Sequence, residues 1–218
     1  MRIGLFGGTF DPIHIGHLRS VLEVQEGFPL DRCWLVPAAT PPHKSGGPVA
    51  DADQRLEMTR LAAGPCPAFQ VSDVELQRSG PSYTIDTIDF FRKRMSGEDR
   101  LFLIVGLDAV LEIDSWKSYR ELLQAVPLIV MARPGTNADD RWNRLADYLE
   151  NRISSEYRYE KSDGSFRHPT FQAVYPCEVP LLDISSTRIR HLRKAGRSVR
   201  FLLPETVHDY IVEGGLYE

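Results

Sequence analysis

The chain opens with a segment that leaves few choices for its fold: an apolar run, a glycine pair and the start of a helix. Arg2–Phe6 is apolar enough for a strand, and an amphipathic helical pattern covers His14–Glu26. Gly7-Gly8 lies between them, and glycines allow a sharp turn and a close approach of a ligand to the backbone. A strand that passes through a glycine turn into a helix predicts the first unit of an α/β fold.

Strand and helix signals continue to alternate along the chain. Several strands are short continuous apolar runs, which is the pattern of strands that helices cover on both faces. The further strands are predicted at Cys33–Pro37, Phe69–Leu76, Leu101–Gly106, Leu128–Ala132 and Val179–Leu182, and the further helices at 51–63, Ser82–Met95 (capped by Ser82), Tyr119–Ala125, from Ser185 and from Pro204. This alternation predicts a doubly wound, mainly parallel sheet that is Rossmann-like in layout, with a small C-terminal helical part.

The length favours one domain with one interruption. A chain of 218 residues suits a single domain over 1–218. The strand–helix rhythm is broken at 136–175, which we interpret as an insertion, and 185–218 forms the helical end. Within the insertion we expect a helix at Ala138–Ile153 and a hairpin that pairs Tyr157–Glu160 with Thr170–Tyr175 across Asp163-Gly164.

Composition excludes several classes of protein. The net charge of −4 gives no overall basic field for nucleic acid. No apolar stretch approaches the roughly 20 residues that span a bilayer, and the first residues lack the pattern of a signal peptide. We therefore expect a cytoplasmic protein with no membrane and no nucleic acid as partner. The 3 cysteines are far apart and form no Cys-x-x-Cys pair, which disfavours a disulfide framework or a zinc site.

The helix that follows the glycine pair begins with two histidines. His14 and His17 are three residues apart and therefore share a helical face, close to the N-terminus, where free N–H groups and the helix dipole favour anions. Gly16 between them would leave room for a flat ring or a sugar. The segment, which also contains Thr9 and Phe10, matches neither the dinucleotide nor the P-loop glycine motif. Two histidines in a first turn can also be simple caps, but together with the glycines they favour phosphate binding.

A second cluster of polar residues lies far downstream, in Ile184-Ser185-Ser186-Thr187-Arg188-Ile189-Arg190. Ser185, Ser186 and Thr187 stand at a helix start, where hydroxyls and unpaired N–H groups are available. Arg190 follows one turn later and can donate in a fork to phosphate oxygens. The alternative is an ordinary serine cap on a basic surface helix. Paired with the first motif, the cluster predicts a second phosphate-binding element.

The two motifs together carry a specific resemblance. His-x-Gly-His after a glycine turn, with a late Ser-Ser-Thr-x-Ile-Arg, resembles the nucleotidyltransferase superfamily that is also similar to class I aminoacyl-tRNA synthetases. Within it the chain resembles bacterial nicotinate mononucleotide adenylyltransferases over nearly its whole length, with the region between Gly135 and Ser185 longer than is usual there. Further matching segments are Pro41-Pro42-His43-Lys44, Ser82–Thr87, Gly106-x-Asp108, Trp116 and Arg133-Pro134-Gly135.

The resemblance implies an enzyme that joins nicotinate mononucleotide to ATP and releases pyrophosphate. It implies Mg²⁺ that is carried mainly by the ATP phosphates, with no metal site on the protein, and it is compatible with a homo-oligomer. The residues it implies are His14, His17 and Arg190 for catalysis; Gly7, Gly8, Thr9, Phe10, Gly16, Arg133, Ser185, Ser186 and Thr187 for ATP; and Lys44, Thr84, Thr87, Asp108 and Trp116 for the mononucleotide.

The chemistry of such a reaction agrees with this residue set. The second pKa of a phosphate monoester is near 6, so the attacking phosphate is already mostly a dianion at pH 7. No general base is then needed, and catalysis reduces to positioning and to stabilising negative charge. We therefore expect the histidines to donate hydrogen bonds rather than to move protons.

The proposed mononucleotide residues each have a plainer interpretation. Lys44 lies in a Pro/Gly-rich loop and could equally be a solvated lysine. Thr84 and Thr87 could receive a carboxylate at a helix start or merely cap that helix. Trp116 could stack on a pyridine ring or pack in the core. Asp108, which follows a buried strand, could accept ribose hydroxyls.

Related functions remain as alternatives. The same reaction on nicotinamide mononucleotide, or on another small phosphate-bearing acceptor, is compatible with the motifs. A phosphopantetheine adenylyltransferase is expected to have Thr in place of His14, and a class I synthetase needs a lysine-rich motif and a tRNA-binding domain. A catalytically silent nucleotide sensor is disfavoured, because such a relative could lose His14, His17 or Arg190.

Overall fold

A single sheet organises the backbone. The computed structural model describes residues 1–41, 49–132, 138–180 and 182–218. The strands are β1 (Arg2–Gly8), β2 (Arg32–Pro37), β3 (Phe69–Val71), β4 (Arg100–Gly106), β5 (Leu128–Ala132), β6 (Arg158–Glu160), β7 (Ser165–Arg167) and β8 (Val174–Glu178). They form an eight-stranded sheet in the order β3-β2-β1-β4-β5-β8-β7-β6.

Helices connect most of these strands. They are α1 (Ile15–Gly27), α2 (Ala52–Ala63), α3 (Thr84–Arg92), α4 (Leu107–Val110), α5 (Tyr119–Ala125), α6 (Ala138–Tyr148), α7 (Ser186–Lys194) and α8 (Glu205–Glu213). A 3₁₀ turn at Ile113–Ser115 and a π-helical turn at Leu149–Ile153 complete them. No described helix is both long enough and apolar enough to cross a bilayer.

Strand directions confirm the predicted α/β class with a mainly parallel sheet. β2 pairs with β3, β4 with β5, and β5 with β8, all in parallel. The antiparallel pairs are β6 with β7 and β7 with β8. β5 is buried along its whole length, as expected of a parallel strand whose residues are apolar on both faces.

The residues cluster into two compact units. Unit 1 comprises Met1–Leu5, Glu23–Asp31 and Tyr83–Leu181, and unit 2 comprises Phe6–Leu22, Arg32–Ser82 and Leu182–Glu218. The two phosphate motifs belong to unit 2, whereas Thr84, Thr87, Asp108 and Trp116 belong to unit 1. The assignment of 1–218 to one domain, with an insertion at 136–175, stays a prediction.

Two predicted elements are shorter than expected. β3 ends at Val71 rather than Leu76, because the Asp73 carbonyl accepts hydrogen bonds from the Leu76 and Gln77 N–H groups and turns the chain. α3 begins at Thr84, and Ser82 does not cap it. The Ser82 hydroxyl instead accepts a hydrogen bond from the Thr40 N–H at 3.2 Å.

The hairpin has a different second arm from the predicted one. β6 pairs with Ser165–Arg167, and the predicted arm at Thr170–Tyr175 was wrong. The Asp163 carboxylate accepts hydrogen bonds from the Ser165 N–H and hydroxyl, which closes the turn early. Val174 instead begins β8, so the strand predicted at Val179–Leu182 lies a few residues earlier than expected.

Ile129 tests how far the buried strand β5 stabilises the fold. Its side chain is fully buried at 0% exposure, so Ile129→Ala should lower the free energy of unfolding by about 2–5 kcal/mol through lost contacts and a cavity. Urea denaturation measures this difference. Val212→Ala on α8, where the side chain is 44% exposed, is the control and should change stability by less than about 0.5 kcal/mol. Equal effects would contradict the assignment of β5 to the core.

Candidate active site

The segment after β1 turns later than its glycines predict. β1 continues through Gly7 and Gly8, and the chain turns at Phe10, whose φ is 48°. The predicted turn at Gly7-Gly8 was therefore wrong. Gly8 is needed for a close approach instead, since a Cβ there would lie 2.5 Å from the Phe10 ring.

The two histidines form one stacked pair. The ring centroids of His14 and His17 are 3.6 Å apart, with 22° between the ring planes. His14 precedes α1, and its carbonyl accepts hydrogen bonds from the His17 and Leu18 N–H groups at 2.9 and 3.3 Å. The Phe10 ring meets His17 edge-on at 5.3 Å. These contacts fix both imidazoles at the start of the helix.

Gly16 makes room for this pair. A Cβ on Gly16 would lie 3.0 Å from His14 Nδ1, so the absence of a side chain allows the imidazole to fold back over the first turn. The space that the sequence assigns to a flat ring is therefore taken by His14 itself. A contact between Gly16 and ATP stays a prediction.

The late serine-rich motif begins a helix as predicted. Ser185 caps α7, and its hydroxyl accepts a hydrogen bond from the Arg188 N–H at 3.2 Å. The Ser186 hydroxyl donates to the Pro12 carbonyl at 2.9 Å. Arg190 Nη1 donates to the Asp11 carbonyl at 2.6 Å, and Nη2 donates to the Thr187 hydroxyl at 3.2 Å. Two motifs more than 170 residues apart are thus joined by direct hydrogen bonds.

The sequence did not single out Asp11, which lies at the centre of this cluster. Asp11 is 2% exposed, and its carboxylate accepts hydrogen bonds from the Val49 N–H at 2.9 Å and the Ala50 N–H at 3.1 Å. The Tyr217 hydroxyl donates to the same carboxylate at 2.8 Å. Arg190 Nη1 lies 3.7 Å from it. Every buried charge needs such partners, because burial without them is costly.

Arg55, a second residue that the sequence did not single out, binds the same turn. Arg55 on α2 is 1% exposed, and its guanidinium donates to four backbone carbonyls. The acceptors are Thr9 at 2.7 Å, Ala38 at 2.5 Å, Ala39 at 3.1 Å and Ala50 at 3.2 Å. Burial lowers the pKa of Arg55, and the Asp11 carboxylate opposes that effect. Nothing in the sequence around Arg55 distinguishes it from a surface arginine.

Four of the residues predicted for the mononucleotide occupy two places in unit 1. Thr84 is the first residue of α3, and Thr87 is buried one turn later. Asp108 is exposed in α4, directly after β4, and Trp116 is half-buried after the 3₁₀ turn. Lys44 and Arg133 lie outside the described residues.

Side-chain contacts hold the segment around Trp116. Lys117 Nζ lies 3.2 Å from an Asp86 carboxylate oxygen and 4.5 Å from the Tyr83 ring centroid, which links this segment to the start of α3. Asp114 accepts hydrogen bonds from the Tyr148 hydroxyl at 2.6 Å and from Arg152 at 2.8 Å. Burial, together with the hydrogen bond to Asp114, raises the pKa of Tyr148 to about 12.

The donors around Asp11, which include the histidine pair, the hydroxyls at the start of α7 and Arg190, suit an anion better than a cation. The Asp11 carboxylate there is already occupied by N–H and O–H donors. Across the described part of the chain, the one group of three side chains with metal-ligand spacing is Glu205, His208 and Asp209 on α8. Phosphate, rather than a bare metal ion, matches the cluster of histidines, hydroxyls and Arg190.

Comparison with known proteins identifies the family. The profile of the cytidylyltransferase-like family matches residues 5–192. The chain belongs to the cytidylyltransferase-like family. It is 42% identical over 219 residues to a protein of Desulfatibacillum aliphaticivorans named "Probable nicotinate-nucleotide adenylyltransferase", with 100% of both chains covered. A protein of Geobacter sulfurreducens with the same name is 41% identical, with 100% of this chain and 98% of the other covered.

Solved structures support the fold of this cytidylyltransferase-like chain. The nicotinic acid mononucleotide adenylyltransferase of Plasmodium falciparum, in its complex with NaAD, superposes with a TM-score of 0.69 at 18% identity. The superposition covers 99% of this chain and 97% of the other. The same enzyme in complex with APC gives a TM-score of 0.69 at 17% identity.

Arg55 should be essential for the turn that it supports. Arg55→Met would leave four carbonyls without their donor and remove one of the positive charges near Asp11, so we expect the free energy of unfolding to fall by about 3–5 kcal/mol. Urea denaturation measures the change. Arg60→Met on the same helix removes a 52% exposed guanidinium with long ion pairs of 3.8 and 3.9 Å, and should cost less than about 1 kcal/mol. A similar loss in both variants would refute the role of Arg55.

Proposed function

We propose that this cytidylyltransferase-like protein is a nicotinate-nucleotide adenylyltransferase. It transfers the adenylyl group of ATP to the phosphate of nicotinate mononucleotide and releases pyrophosphate, a step of NAD biosynthesis. The observation that carries the proposal is that Ser186 and Arg190 of α7 donate hydrogen bonds to the turn that precedes the two histidines. The names of full-length relatives at about 42% identity support the same activity.

The reaction needs charge stabilisation rather than proton transfer. An oxygen of the mononucleotide phosphate attacks the α-phosphorus of ATP, and the bond from that phosphorus to the bridging oxygen of pyrophosphate breaks. The attacking phosphate is already ionised at neutral pH, because its second pKa is near 6. The stacked pair of His14 and His17 then donates hydrogen bonds to the oxygens around the reacting phosphorus, where negative charge builds up.

The start of α7 would hold the β and γ phosphates. Ser185, Ser186 and Thr187 offer N–H groups at a helix N-terminus, which attracts anions. Arg190 has five N–H donors, and its bonds to Asp11 and Thr187 leave others for phosphate oxygens. The remaining proposed ATP contacts are Gly7, Gly8, Thr9, Phe10, Gly16 and Arg133.

The mononucleotide would bind mainly through residues of unit 1. Tyr83, the N-cap residue of α3, makes no side-chain capping bond, so the first N–H groups of this helix are placed to receive the nicotinate carboxylate beside Thr84 and Thr87. Trp116 would stack on the pyridine ring, and Asp108 would accept the ribose hydroxyls. Lys44 would contact the mononucleotide phosphate.

Mg²⁺ would arrive with ATP. The described residues around Asp11 fit this arrangement, since they present donors for phosphate oxygens and the Asp11 carboxylate is already bound by N–H and O–H donors. Magnesium commonly keeps several waters and binds through substrate phosphates. Its charge would lower the negative potential that the attacking phosphate meets.

A coupled assay tests the reaction and its acceptor together. Purified protein with ATP and Mg²⁺ should release pyrophosphate when nicotinate mononucleotide is added, and kcat/KM should be at least about tenfold lower with nicotinamide mononucleotide. The expected ratio reflects about 1.4 kcal/mol from the lost charge-assisted bonds to the acid. No pyrophosphate with either acceptor would refute the enzyme, whereas equal values of kcat/KM would refute only the preference for the acid.

His17 tests the role given to the histidine pair. His17→Ala removes a donor to the transition state, so kcat should fall about 10²- to 10³-fold while KM for ATP changes little. His191→Ala on α7, where the imidazole is exposed, provides the matched control and should retain wild-type kcat. A loss that appears in KM alone would mean that His17 binds substrate without acting in the chemical step.

A further inference from the structure

One buried contact of the active-site cluster has no role in the mechanism above. The Tyr217 hydroxyl donates a buried hydrogen bond of 2.8 Å to the Asp11 carboxylate, across 206 positions of sequence. Tyr217 is 7% exposed, and burial together with the Asp11 carboxylate raises its pKa far above the ordinary value. The phenol therefore stays protonated and acts as a permanent donor.

The backbone of the 214–218 segment is arranged to deliver this hydroxyl. Gly215 and Tyr217 have φ of 59° and 64°, and L side chains rarely adopt such values. The Leu216 N–H donates to the Ile211 carbonyl at 2.9 Å. Glu218 forms an ion pair of 2.7 Å with Arg193 of α7. A strained residue that neighbouring contacts hold in place is typical of functional sites.

The contacts of Asp11 explain what the hydroxyl does. Asp11 uses its carbonyl to accept from Arg190 Nη1 at 2.6 Å, while its carboxylate lies 3.7 Å from the same atom. With Tyr217, Val49 and Ala50 donating to the carboxylate, Arg190 is left to the carbonyl and to the substrate. The hydroxyl binds Oδ1, which also accepts from the Ala50 N–H, whereas Arg190 lies 3.7 Å from Oδ2. Without the hydroxyl, the buried carboxylate would keep fewer donors, and its charge would draw the Arg190 guanidinium inward into a direct ion pair.

We propose that Tyr217 is a positioning residue for ATP binding: its hydrogen bond to Asp11 keeps Arg190 directed at the phosphates. The proposal rests on the function given above for Arg190. The proposal predicts weaker binding of ATP but unchanged binding of the mononucleotide, because Arg190 would contact the β and γ phosphates of ATP and not the mononucleotide.

Tyr217→Phe is the test, and Tyr157→Phe is the matched control. Tyr157 is also buried, at 4% exposure, but its hydroxyl has no hydrogen-bond partner in the described structure. Tyr217→Phe should raise KM for ATP roughly five- to twentyfold, the loss expected for one buried bond to a charged group. KM for nicotinate mononucleotide should stay within about twofold of wild type, and Tyr157→Phe should change neither KM by more than that.

A double-mutant cycle with Arg190 separates positioning from general loosening. If Tyr217 acts through Arg190, Tyr217→Phe should have little further effect on KM for ATP in an Arg190→Ala background. A merely structural role would lower the melting temperature and raise KM equally in both backgrounds. An unchanged KM for ATP in Tyr217→Phe, or equal effects in both backgrounds, would overturn the proposal.

Two further measurements keep the outcome decisive. Calorimetric titration with ATP and Mg²⁺ alone reports the same weakening without turnover, so a failure of the proposed reaction with nicotinate mononucleotide is distinguishable from a failure of this inference. If Tyr217→Phe does not fold, Glu218→Gln takes its place, because it weakens the ion pair to Arg193 that anchors the residue next to Tyr217, and so loosens the hold of the hydroxyl on Asp11. That variant should weaken ATP binding about two- to threefold, and unchanged binding would refute the role of the segment.

Discussion

The buried carboxylate of Asp11 is the constraint on which the candidate active site depends. A charge that is removed from water must be matched by donors. Here the donors come from the loop before α2, from the 214–218 segment and, nearby, from Arg190. None of them is close to Asp11 in sequence, so the requirements of one side chain bring distant segments together. The turn after β1, the start of α2 and the start of α7 thereby acquire fixed mutual positions within unit 2.

Arg55 completes this arrangement with the opposite charge. Its four bonds to backbone carbonyls hold the chain on either side of the turn, whereas Asp11 binds N–H groups and a hydroxyl. A buried carboxylate and a buried guanidinium that bind mainly backbone groups stabilise a loop more specifically than apolar packing can, because each hydrogen bond has a direction. For phosphoryl chemistry this matters, since donors that are already in place need no reorganisation when charge develops.

How much of the fold and of the candidate site could be predicted from the sequence depends on whether the deciding interactions are local or join residues far apart in the chain. Tyr119–Ala125 and Leu128–Ala132 were predicted to the residue, because apolar runs and periodicity are local signals. The serine cap of α7 was predicted for the same reason. The turn at Phe10, the hairpin arm at Ser165–Arg167 and the roles of Arg55 and Tyr217 were missed. Each of these is decided by a contact, such as the Phe10 ring over Gly8, that the local pattern does not encode.

A carboxylate with a tyrosine hydroxyl and an arginine as neighbours occurs in both units, but the two carboxylates differ in burial. In unit 1, Asp114 is bound by a tyrosine hydroxyl and an arginine from the 138–153 region, as Asp11 is by Tyr217 and Arg190 in unit 2. The side chain of Asp114 is 24% exposed and that of Asp11 is 3% exposed. Water can therefore replace a lost partner of Asp114 but not of Asp11. Substitutions among the partners of Asp11 should therefore cost more stability than substitutions among the partners of Asp114.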